Sequence, residues 1–219
     1  MKTVFKLLLC ISLLLNSACA PKPELSLSND VAITAVFTQP EIESLENVLE
    51  FFEDAVISSQ DTVSDNFSVL LRNYLQYIGD NYQSTFNYFL YLNFDDEKRQ
   101  LLLSDLKSTG LFNELYYLDT VWYDKANIRY SHRSTDSLAT VFIGVKRYGK
   151  YHQLLNELAK TDSIFGEFSE TIDIAGDIAP WILGKMVYEY EDFDLSSKRI
   201  ALIYALTFLS INEPLKIQK

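Results

Sequence analysis

Residues 200–211 (IALIYALTFLSI) are apolar on every side of a helix. Such a helix has no face to turn toward water. At twelve residues it is also far short of the roughly 20 apolar residues that span a bilayer. The segment therefore predicts a central buried helix. Every other element then has to supply a half-apolar surface that covers it.

The rest of the chain carries that pattern. Thr38-Gln39-Pro40-Glu41 fits a capping box, with Thr38 as N-cap and Glu41 three residues in. Phe37 and Ile42 occupy the two positions of a hydrophobic staple, and Pro40 sits in the first turn, where its missing N–H costs nothing. The helix runs to about residue 58, with Leu45, Val48, Leu49, Phe52 and Val56 as its apolar stripe. Further helices are expected over residues 62–78, 82–92, 96–107, 111–121, 138–148 with its continuation after Gly149 over 150–160, 163–178 and 181–190. Asp95 or Asp96 can cap the third of these, and Gly110 marks its end. Asp194 is expected to cap the last helix, to Ile211. Residues 31–37 read as a strand-like lead-in or a first helical turn, and residues 122–133 read as a loop. With eight or nine helices and little strand signal, the expected class is all-α. The expected fold is a single irregular helical bundle or helical-hairpin array over residues 31–219.

The N-terminal end says where such a domain would work. Lys2 and Lys6 precede an apolar run over residues 7–15, and Ser17 and Ala18 lead into Cys19. The run is too short for a spanning helix and has the form of an export signal. Leu15-Asn16-Ser17-Ala18-Cys19 resembles the bacterial lipobox, although Asn16 stands where that motif more often has Leu. The resemblance implies removal of residues 1–18 and a diacylglyceryl group on the Cys19 thiol. Ordinary cleavage after Ala20 and an uncleaved anchor are the alternatives. Ala20 stands where enterobacterial lipoproteins kept at the inner membrane carry Asp, so the resemblance favours the outer membrane. Residues 19–30 read as a lipidated Cys and a flexible tether, with Pro21 and Pro23 opposing regular structure.

Cysteine appears twice, as Cys10 in the signal and Cys19 at its end. The folded part thus has no disulfide, thiolate metal site or Cys nucleophile, and its cohesion must come from packing. Fourteen Phe and fourteen Tyr supply that packing. Formal charge is -11, and loss of Lys2 and Lys6 with the signal makes it -13. Such a chain is repelled by nucleic acid, so no nucleic-acid partner is expected.

The charge is segregated. Residues 24–71 hold ten acidic residues and no Lys or Arg. Within them Glu43, Glu46, Glu50 and Glu53 follow helical spacing and form an acidic stripe, the candidate surface for a basic protein partner. Lys125, Arg129, Arg133, Lys146, Arg147 and Lys150 then lie in a stretch whose one acid is Asp136. Arg129, Arg133 and Arg147 are the candidate residues for an anion such as a phosphate or a cell-wall carboxylate. Residues 167–194 turn acidic again. The plainest expectation is that these are solvated faces with some pairing between the basic stretch and the acidic ones.

No phosphate loop, His-Glu-x-x-His, Gly-x-Ser-x-Gly or EF-hand loop is present, so no cofactor, metal or catalytic residue is expected. Glu43-Ser44 matches one pair found in cell-wall lytic enzymes, without the downstream element that accompanies it. The expected function is that of a lipid-anchored, non-enzymatic envelope protein, periplasmic or surface-exposed, that binds a protein partner. An immunity-type lipoprotein is one concrete form. A carboxylate-using cell-wall hydrolase and a structural or assembly lipoprotein are the alternatives.

Overall fold

A computed structural model of the chain describes residues 26–59, 64, 66–85, 95–123, 129–130, 138–176, 191 and 193–211. Folded structure starts earlier than the tether reading allows. Leu27–Asn29 form a 3-10 turn, and Leu27 is 1% exposed, so residues 26–30 belong to the folded body. Asp30 accepts from the N–H groups of Ala32 and Ile33 and caps α1 (Val31–Val36), which settles that segment as helix.

Thr38 opens α2 (Gln39–Ser58) through the expected capping box. Glu41 Oε2 accepts from the N–H and the hydroxyl of Thr38, each at 2.8 Å. Phe37 and Ile42 are both buried, as the staple requires. Next comes α3 (Phe67–Thr85), displaced toward the C-terminus from the expected range. Asp95 caps α4 (Asp96–Ser108), accepting from the Lys98 N–H at 2.9 Å. Gly110, at φ 77°, leads into the short α5 (Leu111–Leu115). The helices α6 (Lys150–Ala159) and α7 (Ser163–Ala175) pack on one another, and α8 (Lys198–Ile211) closes the described chain. Asp194 makes a turn with Ser196 ahead of α8 rather than capping that helix itself. Eight α-helices are present among the described residues, and the fold is the mostly helical bundle that the periodicity predicts.

Two segments expected to be helical are strands. β1 (Tyr116–Tyr123) pairs antiparallel with β3 (Leu138–Val145), from Tyr116 opposite Val145 to Tyr123 opposite Leu138. A two-residue strand, β2 (Arg129–Tyr130), pairs with the other side of β1, giving the order β2-β1-β3. The helix expected over 111–121 therefore stops at Leu115, and the one expected over 138–148 is absent. Trp122 and Tyr123 leave the expected loop for β1. The cause is composition: Thr120 to Tyr123 stand in register opposite Val141 to Leu138, and β-branched and aromatic residues favour extended backbone. Gly144 stands opposite Tyr117, and a Cβ there would lie 2.4 Å from the tyrosine ring. The ring thus crosses bare glycine backbone. The helix expected over 82–92 lies within the described residues only as far as Thr85, and the one over 181–190 lies outside them.

The centre is α8. Residues 201–210 are all buried, between α2 on one side and β3 on another. Phe208 stacks on Phe52 of α2 at 5.9 Å and meets Tyr74 of α3 at 5.8 Å. Tyr204 meets Phe193 edge-on at 6.1 Å, and Phe193 packs on Phe165 of α7. Hydroxyl groups packed against α8 find partners on it. Thr207 Oγ1 donates its one proton to the Ile203 carbonyl at 2.7 Å, so Tyr151 must donate to Thr207 across their 2.8 Å contact. Tyr116 donates to the Leu206 carbonyl at 2.9 Å. Burial pushes both phenols well above their ordinary range, with the Thr207 bond offsetting part of the effect on Tyr151.

Phe208→Ala should therefore cost about 3–5 kcal/mol in urea unfolding. Ile174→Ala, at a side chain 78% exposed on α7, should stay within about 0.5 kcal/mol. Similar losses at the two positions would contradict this placement of the core.

Candidate functional site

Helix α2 carries the acidic stripe, and the structure divides it. Glu43 and Glu50 are exposed. Glu46 instead turns to the N-terminal segment, where Oε1 accepts from the Leu27 N–H at 3.1 Å and the Ser26 hydroxyl at 3.4 Å. It holds the 3-10 turn against α2, and its task is structural. Glu53 is half-buried and engaged by its own neighbours. The four glutamates thus do not form one open surface. Helical spacing placed them beside the apolar face, and that flank is where residues 26–30 come to lie.

What α2 offers outward is a groove, shared with α4, of about 450 Å³. From α2 come Glu50, Phe51 and Asp54, and from α4 come Lys98, Leu101 and Asp105. Leu101 is 66% exposed. Lys98 Nζ meets Asp54 Oδ2 at 2.8 Å across the rim, with both side chains open to water. The Asp54 hydrogen bond and charge raise the affinity of Lys98 for its proton, and Asp95 and Glu50 add to this. Asp105 Oδ2 is out of water and has no hydrogen-bond partner. Glu43, the carboxylate that a hydrolase reading would use, does not line this groove.

Sequence reasoning missed the α4 side of the groove. The signal was there in Leu101-Leu102-Leu103. Three consecutive positions on a helix sweep about 200° of its surface, more than one core-facing stripe can use. Leu102 and Leu103 are buried, and Leu101 is the one left outside.

Among the described residues of the basic stretch, Lys146 and Lys150 meet a carbonyl and an acid of their own chain. Lys150, first in α6, places Nζ 2.6 Å from both oxygens of Glu41. Its side chain is 19% exposed and that of Glu41 13%. The same Nζ lies 5.6 Å from the centre of the Phe37 ring. Burial alone would raise the Glu41 carboxyl, but the bonds from Lys150 and Thr38 outweigh it and hold the group below its ordinary value. Lys146 donates to the Asn113 carbonyl at the end of α5 at 2.7 Å. His152 is buried on α6, with Nε2 3.5 Å from Asp173 Oδ1 of α7. The pairing expected between the basic stretch and the acidic ones is present toward the first of them, in Lys150–Glu41, while His152 and Asp173 of the second approach without a hydrogen bond.

Of the three arginines proposed for an anion, only Arg147 has a described side chain. It is exposed, and its guanidinium lies 4.9 Å from the centre of the Tyr148 ring. Tyr148 itself adopts φ 61° in the turn between β3 and α6. Arg129 is placed by its backbone alone, opposite Tyr123 in β2. Arg133 and Cys19 lie outside the described residues, as does His132. Among the described residues no group of three or more His, Cys, Asp and Glu is arranged to hold a metal ion. No protein-family model matches the chain, and neither a curated protein nor a solved structure is significantly similar to it.

The Glu41 contacts have a pH signature. A carboxyl held below its unfolded value stabilises the fold above that value, and the contribution fades as pH falls through the folded one. Glu41→Gln should lower stability at pH 7 by about 1–3 kcal/mol, since it removes a cap carboxylate and a largely buried ion pair together. It should also flatten the loss of stability that the parent protein shows below about pH 5. Urea melts at several pH values measure both. Parallel pH curves for the two proteins would contradict the assignment.

Proposed function

We propose that the chain is a lipid-anchored protein of the bacterial cell envelope that acts by binding a basic protein partner rather than by catalysis. The observation that carries this reading is the leader: a short basic start, an apolar run over residues 7–15, and the lipobox-like Ser17-Ala18-Cys19. Among the described residues no helix is long and apolar enough to cross a membrane. In this reading the acyl groups on Cys19 are the means of attachment. One acyl chain binds a bilayer only marginally, whereas several hold firmly.

The position of the first described residues supports a close attachment. Only residues 20–25 separate Cys19 from Ser26, which is already tied to α2 through Glu46. Those links reach at most about 25 Å when fully extended. A lipidated form would thus hold its helical body against the bilayer surface. The Arg199 side chain reinforces the junction, meeting Asp30 Oδ2 through both Nε and Nη2 at 2.6 Å.

The charge supports the choice of partner. A body of net -13 once Lys2 and Lys6 have left with the signal, with Glu50 exposed on α2, speeds the approach of a basic protein and repels acidic ones. An immunity-type lipoprotein that neutralises a basic toxin is one form this takes. Ala20 after the lipidated residue favours the outer membrane by resemblance to sorted lipoproteins.

Cells fed labelled palmitate should incorporate it into the parent protein and not into Cys19→Ala, and the variant should leave the membrane fraction. Equal labelling of both proteins would overturn the anchor.

A further inference from the structure

We infer that the groove between α2 and α4 is the docking site for a basic amphipathic segment of the partner, a statement that rests on the partner-binding reading above. Its floor is apolar and exposed without a reason internal to the fold. Leu101 is 66% open to water, although Leu102 and Leu103 beside it are fully used by the core. Phe51, half-buried across from it, packs on the core with one side and lines the groove with the other. An apolar side chain laid between them would remove both from water, which is where association of this kind finds its free energy.

The rim sets the charge of the occupant. Glu50 and Asp54 stand on one side and Asp105 on the other. Among the lining residues Lys98 is the one cation, and Asp54 already holds it. The groove therefore presents three carboxylates against a single ammonium. Asp105 adds a specific demand: its Oδ2 is dehydrated and accepts no hydrogen bond. A dehydrated acceptor without a donor is costly, and a small rotation of the side chain toward the opening would give it a Lys or Arg donor. The volume of about 450 Å³ suits a few side chains rather than a folded surface. The matching ligand is a short segment with one or two apolar side chains flanked by Lys or Arg. A second copy of this chain, itself at -13 without its signal, is the wrong sign.

The test uses the purified full-length exported protein and a fluorescent twelve-residue Leu–Lys amphipathic helix, with a Leu–Glu version as the charge control. Anisotropy should show saturable binding of the Leu–Lys peptide and none of the Leu–Glu peptide. Leu101→Asp should weaken binding at least about tenfold and Glu50→Lys at least about fivefold. Glu43→Lys, an exposed reversal on the same helix outside the groove, should stay within about twofold. All three positions are exposed, so the variants should fold, and circular dichroism verifies that. Absent binding, or equal weakening by Glu43→Lys and Glu50→Lys, would overturn the site, the latter by pointing to a diffuse field. Self-association abolished by Leu101→Asp would assign the groove to a second copy and overturn it as well. Capture from envelope extracts separates the two levels. A basic partner retained equally by the parent and by Leu101→Asp removes the groove and leaves partner binding standing. Capture of no partner by the parent protein removes the reading beneath it.

Discussion

A helix with no polar face has to be enclosed, and the enclosure of α8 organises this molecule. Residues 201–210 are buried without exception, so α2, α3, α6 and β3 are each placed by what they bring to one cylinder. The aromatic side chains do most of the covering. Phe52 and Tyr74 close on Phe208, and Phe193 closes on Tyr204. The few polar groups that come with the helix are satisfied by its own carbonyls or by the buried hydroxyls of Tyr116 and Tyr151. The start of the middle strand, β1, and a helix from elsewhere in the chain are thereby fixed to α8 at defined positions. With no thiol in the described body, this packing is also its sole means of cohesion beyond hydrogen bonds and ion pairs.

Charge is arranged around that core in two layers. Pairs of long sequence separation join separate elements: Lys150 to Glu41, Arg199 to Asp30, Lys98 to Asp54. The first two are shielded enough to matter for stability, and the third is open to water and contributes little. The pairs also consume much of the segregation visible in the sequence. What remains for the proposed partner is narrower than a stripe, namely the groove between α2 and α4 and the carboxylates at its rim. Electrostatic steering needs only such a residue of unpaired charge, since it acts on approach more than on final affinity.

The legibility of the sequence followed the range of the interaction involved. Local signals translated directly. The Thr38–Glu41 box, the Phe37–Ile42 staple, Asp95 as a cap and Gly110 beyond α4 all depend on residues a few positions apart. The burial of α8 was legible for a different reason: no arrangement of neighbours could leave it exposed. The strands were not legible, because Tyr116 to Tyr123 and Leu138 to Val145 each offer mixed apolar residues that a short helix could also use. Only their pairing decides between the two, and that lies some twenty residues away. The acidic stripe failed likewise. Glu46 is exposed on any isolated helix and becomes structural only when Leu27 docks beside it. The groove needed two helices, and the excess leucine at position 101 was the single trace of it in one dimension.

The claim on which this account rests is that α8 is the innermost element, exposed only when the whole body comes apart. Native-state hydrogen exchange measures this directly. The amides of residues 202–209 should exchange with an opening free energy equal to the global unfolding free energy from denaturant melts, and should be the slowest of the described chain. Exchange of those amides at a clearly lower free energy, while α2 or α6 stayed protected, would show that α8 opens on its own and would contradict the account.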